Sequence, residues 1–290
     1  MKNIIYLHYR RFGDLVINKY CRSFVRELIG EDHLSYHLEE FYQFLLPQEN
    51  YQLLREIYNV PPYISVKKSS FYAVVESFFE LQRNISRVSR DRKNSIVFLD
   101  DKRIFQDFFM RTSTFTPHRL ENVYLSHLQA YRDLGFVVDD PNLCLETGGS
   151  LIKIFPNASV KSTVFGYGKK SIPEKLLLQL SREFQRLNLG YKVVYLEGEK
   201  PADFPHNYEF IPRSFSSLNH SILDSRLVVT CDSLPGHLGN LNMRPTFVLT
   251  RNREKYWLPL STYEYGLTAC FHDKFEDISD RIYKTLVSYS

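Results

Sequence analysis

The chain has 290 residues, 43% of them apolar and 24% charged, an ordinary globular composition with enough material for more than one core. Thirty-seven basic against 33 acidic residues leave a net charge of +4, too even a balance to indicate nucleic acid as a partner. No apolar run approaches the roughly 18 residues of a membrane span.

In chain order, Ile4 to Tyr9 predicts a strand, and Leu15, Val16, Tyr20, Phe24, Val25 and Leu28 recur at helical spacing over 14–29. Between them stand Gly13 and Asp14. Glycine permits a tight turn, and the aspartate either caps the helix or brings a carboxylate to the mouth of a site. Both readings are open at this point. Residues 38–58 read as helix interrupted at Pro47, and 71–88 as an aromatic helix followed by a basic loop. Residues 95–99 read as a strand, and 121–134 as a helix stopped by Gly135. Residues 139–150, rich in Asp, Asn and Gly, form the linker candidate.

Beyond the linker the pattern restarts. Strands are expected at 151–155, 191–196, 227–230 and 246–249, with helices at 173–189 (stopped by Gly190) and 274–287. Short strands alternating with helices predict a parallel α/β sheet in each half. The expected lobes are 1–148 and 149–275, with a last helix, 276–290, packing back towards the N-terminal lobe. The N-terminus lacks the apolar core and cleavage site of a signal peptide, and the four cysteines form no C-x-x-C, so the expected setting is the cytoplasm with free thiols.

Polar groups concentrate where strands end. After Phe155 come Pro156, Asn157, Ala158 and Ser159, then Lys170 to Glu174, suited to holding a phosphate or forming a solvated loop. After Leu196, Glu197 and Glu199 offer carboxylates to ribose or sugar hydroxyls, or make a charged turn. After Thr230, Asp232 and Ser233 can cap a helix whose amides then point at an anion, with His237 one turn further in. Asp100-Asp101 reads as a turn, and His33 and His37 lack a third ligand for zinc.

Together these segments resemble the ADP-heptose:lipopolysaccharide heptosyltransferases, glycosyltransferase family 9. Arg11 to Val16 is similar to the family's R-x-G-D-x-x, and Leu196 to Glu199 to its strand and G-x-x-E turn. Phe155 to Ser159 and Lys170 to Glu174 are similar to h-P-G-A-S and K-x-W-P-x-E. The stretch DSLPGHLGNLNMRP, Asp232 to Pro245, is similar to D-[TS]-G-P-x-H-L-A-A-A-x-x-x-P without a gap. Leu234, Asn157 and Ile172 stand where the family has Gly, Gly and Trp.

The resemblance implies an α/β GT-B fold, two Rossmann-like parallel-sheet lobes facing across a cleft. It implies an inverting transfer of a heptose from ADP-heptose to a hydroxyl of an anionic glycan or glycolipid such as lipopolysaccharide core. Asp14 is then the base, and Lys170 and the amides around Ser233 meet the donor diphosphate, with Asn157 and Ser159 nearby. Glu199 meets the nucleoside or ribose, Asp232 the sugar hydroxyls, and His237 the sugar or phosphate. Arg10, Arg11, Arg87 and Arg90 are the acceptor contacts expected in the N-terminal lobe, and such basic patches would also favour peripheral contact with the inner face of a membrane. No metal or cofactor is expected. Leu234 motivates an alternative nucleotide-sugar donor, and a non-catalytic binding module on the same scaffold is the reading from a different class.

Overall fold

The computed structural model describes residues 3–8, 12–26, 31–35, 95–99, 114–115, 119–158 and 170–289. The chain divides into two compact units, Met1–Arg119 with Ser126–Asp140, and Leu120–Leu125 with Pro141–Ser290.

In the first unit four strands make a parallel sheet: β1 (Asn3–His8), β2 (Glu31–Ser35), β3 (Ser95–Leu99) and β4 (Thr114–Phe115). Their order is β2-β1-β3-β4, with Ile4 opposite both Glu31 and Ile96. Helix α1 (Phe12–Arg22) follows β1 and buries Val16, Ile17, Tyr20 and Cys21. It is shorter than the periodicity predicts. Phe24 and Val25 leave the helical path because the backbone there serves a sheet-like contact. Val25 bridges antiparallel to Val138, Arg26 N donates to the Val137 carbonyl, and Asp139 N to the Phe24 carbonyl. A helix start at Phe12 puts Asp14 at the third helical position, inside the first turn rather than at the cap.

Helix α2 (Val123–Asp133) ends as expected at Gly135, whose φ of +88° only glycine adopts without strain. Phe136 N donates to the Tyr131 carbonyl, and the two rings meet edge to face, the hydrogen bond and apolar clasp of a Schellman stop. Tyr131 also donates to Asn18 Oδ1 at 2.9 Å, tying α2 to α1.

The second unit is a six-stranded, all-parallel sheet in the order β10-β9-β8-β5-β6-β7. The strands are β5 (Ile152–Phe155), β6 (Tyr191–Leu196), β7 (Tyr208–Ile211), β8 (Leu227–Cys231), β9 (Thr246–Thr250) and β10 (Thr268–Cys270). All residues of β5, β8 and β9 are buried, which is why they read as continuous apolar runs: helices cover both faces. Strand β7, at the edge, alternates between more and less exposed residues and gives a weaker signal. The chain leaves β5 in one direction towards β6 and β7 and in the other towards β8, β9 and β10. The reversal between β5 and β8 is the switch point at which open α/β sheets bind ligands.

The helices are α3 (Glu174–Arg186), α4 (Phe215–Leu223), α5 (Leu234–Leu241), α6 (Leu260–Glu264) and α7 (Phe275–Ser288). Leu176, Leu177, Leu180 and Phe184 of α3 join Ile154, Val193, Val229 and Phe247 in one core. The last helix, expected to return towards the N-terminal lobe, places Ile278, Ile282 and Leu286 in this same core, each contributing about 1.5–3 kcal/mol.

Two glycine assignments change. Helix α3 stops at Asn188, whose φ is +51°, not at Gly190. Gly190 is needed for space, since a Cβ there would lie 2.8 Å from Leu151 Cδ2. In the linker candidate, a Cβ on Gly148 would lie 1.7 Å from the Leu223 carbonyl oxygen, and Gly148 N donates to Ser225 O. From Pro141 on, that stretch belongs to the second unit, while Asp139 and Asp140 belong to the first.

Candidate functional site

The carboxyl ends of β5, β6 and β8 converge beside the switch point, and four of the residues expected in the site stand there in two linked pairs. After β5, Asn157 donates from Nδ2 to Glu199 Oε2 at 2.9 Å. Glu199 is aimed by its own turn. Gly198 takes φ +83°, Glu199 N returns to the Leu196 carbonyl, and the carboxylate accepts from Leu196 N at 3.1 Å. Arg213 Nη2 lies 3.7 Å from the other carboxylate oxygen.

The second pair is an ion pair. Lys170 Nζ donates to Asp232 Oδ2, with the side chains 34% and 23% exposed, so both charges remain within reach of solvent and of a ligand. Lys170 is held at the sheet end because Ile172 N donates to the Pro156 carbonyl at 2.8 Å and Ser171 Oγ accepts from Ala158 N at 3.3 Å. An isoleucine serves at position 172 because its side chain is core, 5% exposed.

Ser233 occupies the N-cap position of α5, but its hydroxyl does not cap. It donates to Cys231 O at 3.1 Å and lies 3.1 Å from Thr230 Oγ1. With Asp232 engaged by Lys170, neither side chain caps as expected. Pro235 has no N–H, and Gly236 N is bonded to Ser233 O, so the turn presents fewer free amides than an open helix end. Leu234, where the resemblance has glycine, begins α5 without a positive φ. Gly236 instead provides room: a Cβ there would lie 3.3 Å from Thr230 Cγ2 and 3.4 Å from Pro259 Cγ. A Cβ on Gly239 would lie 2.2 Å from Thr246 Oγ1, so α5 packs closely on β9 only with glycine there.

His237 is 6% exposed, and its Nδ1 lies 2.9 Å from the Tyr124 hydroxyl. Burial pushes its pKa down to about 4, opposed by the Asp232 carboxylate and reinforced by the Lys170 ammonium. The imidazole is therefore neutral at ordinary pH. The Cys231 thiol is pushed up to about 11 by burial and is no nucleophile. Among the described residues no group of three or more His, Cys, Asp or Glu side chains is placed to hold a metal ion.

No family model matches the sequence, and no curated protein does. Solved structures do match over nearly the whole chain. A family 9 glycosyl transferase from Veillonella parvula is 14% identical, covering 99% of this chain and 97% of its own, with a TM-score of 0.62. The E. coli heptosyltransferase WaaC with ADP is 11% identical, covering 98% and 99%, with a TM-score of 0.60. The same enzyme with ADP-2-deoxy-2-fluoro heptose gives 0.58 at 11% identity, covering 99% and 100%. The chain has the GT-B fold.

Within this GT-B chain the structure brings together Asn157 with Glu199 and Lys170 with Asp232, and sets Ser233 and His237 at the start of α5. Asp14 lies in α1 by its backbone alone. Ser159, Arg10, Arg11, Arg87 and Arg90 lie outside the described residues, as do the stretches 38–58 and 71–88 and the Asp100-Asp101 pair. His33 falls in β2. Sequence reasoning missed Tyr124, Arg213 and Ser171. Tyr124 is 113 residues from His237, and no local pattern marks such a partner. Ser171 was within reach, since it adjoins the predicted helix start at 173, whereas Arg213 follows Tyr208–Ile211, an edge strand that the pattern did not predict. Among the described residues no helix is long and apolar enough to cross a membrane.

Proposed function

We propose that this chain is a glycosyltransferase that takes a sugar from a nucleotide-diphospho-sugar and transfers it, with inversion, to a hydroxyl of an anionic bacterial glycan or glycolipid. We take the donor to be ADP-heptose and the acceptor to be of the lipopolysaccharide-core type. The observation that carries this reading is the convergence of the Lys170–Asp232 and Asn157–Glu199 pairs at the switch point of the six-stranded sheet. Fold neighbours whose structures hold ADP and a fluorinated ADP-heptose support the choice of donor.

In this reading the acceptor oxygen attacks the anomeric carbon as the carbon–oxygen bond to the diphosphate breaks, its electron pair leaving with the phosphate. The Lys170 ammonium and the amide dipoles at the start of α5 neutralise the charge that grows there. Lys170 turns from Asp232 towards the diphosphate, and the freed Asp232 carboxylate accepts from sugar hydroxyls. Glu199 accepts from the ribose hydroxyls, oriented by Asn157. Asp14 takes the acceptor's proton. Its place in the first turn of α1 suits an ionised carboxylate, because the helix dipole favours negative charge there. Charge neutralisation falls to this chain's own groups rather than to a metal. The basic residues Arg10, Arg11, Arg87 and Arg90 are assigned to the acceptor and to peripheral membrane contact in the cytoplasm.

Thermal-shift titration with ADP, GDP and UDP tests the donor site. ADP is expected to stabilise the wild type and to act about ten-fold or more weaker on Lys170→Met, the loss of one charge-assisted contact. A response to UDP or GDP with none to ADP overturns the heptose assignment. Turnover of ADP-heptose with a core acceptor is expected to fall about 10²–10⁴-fold in Asp14→Asn. Equal rates in the two proteins remove Asp14 from the mechanism.

A further inference from the structure

The first turn of α2 is fastened at several points within the second unit. Asn122 Nδ2 donates to the Leu258 carbonyl at 2.9 Å, and its Oδ1 accepts from Tyr124 N at 2.9 Å. Val123 N donates to Tyr256 O at 2.8 Å, and Tyr263 donates to the Glu121 carboxylate. These contacts fix the fully buried Tyr124, whose hydroxyl meets His237 Nδ1. On the other side, Gly236 lets α5 lie against Pro259, one residue beyond Leu258, so the same loop supports both partners.

Chemistry decides the direction of the hydrogen bond. A phenol is the stronger acid and a neutral imidazole nitrogen the stronger base, so the phenol donates and Nδ1 accepts. The ring's one proton then resides on Nε2. That nitrogen bonds to nothing among the described residues and is not sealed. The groups that act on the ring are Tyr124 from α2, Asp232 from the turn before α5, and Lys170 from the loop before α3. The last two are the ion pair of the donor site.

We propose that Tyr124 is a positioning residue: it holds His237 as the neutral Nε2–H tautomer, so that Nε2 donates a hydrogen bond to a phosphate or sugar oxygen of the bound nucleotide sugar. A neutral donor suits this place, because it recognises an oxygen without placing a buried cation beside the Lys170 ammonium. The identity of the ligand rests on the function proposed above; the tautomer does not.

Long-range ¹H–¹⁵N spectra of histidine-labelled protein test it, with the His237 signals assigned by their absence in His237→Gln. The wild type is expected to show a protonated Nε2 and an unprotonated Nδ1. In Tyr124→Phe the Nδ1 resonance should move and the titration midpoint of His237 should rise by about 0.5–1 unit, the loss of one hydrogen bond to the neutral form. ADP affinity measured by calorimetry should fall about five- to ten-fold in Tyr124→Phe, with the thermal midpoint of the free protein little changed. A wild-type proton on Nδ1 overturns the proposal from the wild-type spectrum alone. So does a Tyr124→Phe protein with unchanged His237 signals and midpoint. If the wild type binds no ADP, GDP or UDP, the function reading fails and the Nε2 contact falls with it, while the spectrum still decides the tautomer.

Discussion

Lowering the pH should destabilise the second unit through His237, by an amount the structure sets. The buried imidazole titrates at about 4 in the folded chain, against about 6.5 when unfolded. Folding holds it neutral, so between these values the unfolded chain binds the extra proton. The contribution is fully present above about pH 6.5, shrinks as the pH falls, and is lost by about pH 4. Some 2.5 units at about 1.4 kcal/mol each give roughly 3 kcal/mol in all, and about 2 kcal/mol at pH 5. The matched control is His237→Gln, which keeps a polar group against Tyr124 and has no proton to gain. Asp232 and Lys170 are unchanged in both proteins, so their titration cancels in the comparison. Urea unfolding followed by Trp257, the single tryptophan and a residue of the second unit, reads the stability of that unit. Between pH 7.5 and 5.0 the wild type should lose about 2 kcal/mol more than the variant. Parallel losses would refute the reasoning, since they would mean that His237 is protonated in the folded protein as readily as in the unfolded one.

Gly239→Ala should cost about 1–3 kcal/mol in the same unfolding assay, because its Cβ meets Thr246 Oγ1, and Thr246→Ala in the same chain should recover part of the loss. Asn157→Ala should weaken ADP binding about five- to ten-fold by calorimetry, since it frees the Glu199 carboxylate from the amide that orients it. Lys153, in the middle of β5, is 5% exposed and lies 3.2 Å from an Asp224 carboxylate that is itself 62% exposed. Lys153→Met should therefore leave stability within about 1 kcal/mol, because Asp224 rehydrates. Lys153→Ala should lose about 2 kcal/mol or more to the void it leaves.

Much of the second unit was legible in the chain because burial on both faces of its inner strands writes continuous apolar runs. Leu227 to Cys231 and Thr246 to Thr250 carry that signal, whereas the edge strand Tyr208–Ile211 and the three-residue Thr268–Cys270 do not. The same order of elements places the candidate site. Polar residues directly after buried strands stand at the sheet's carboxyl end whatever the side chains do, which puts Asn157, Glu199 and Asp232 there. Lys170, in the loop before α3, is brought to Asp232 by the fold. What each does was not legible. Capping, pairing and tautomer choice depend on partners far away in sequence: Asp232 is held by Lys170, 62 residues earlier, and His237 by Tyr124. Spacing likewise misjudged Phe24 and Val25, because a helical pattern cannot reveal that the backbone at 25 is claimed by Val138. Periodicity is a property of the chain and determined the layers; hydrogen-bond partners and the space a Cβ would fill are properties of the packed fold, and only the tertiary structure decided them.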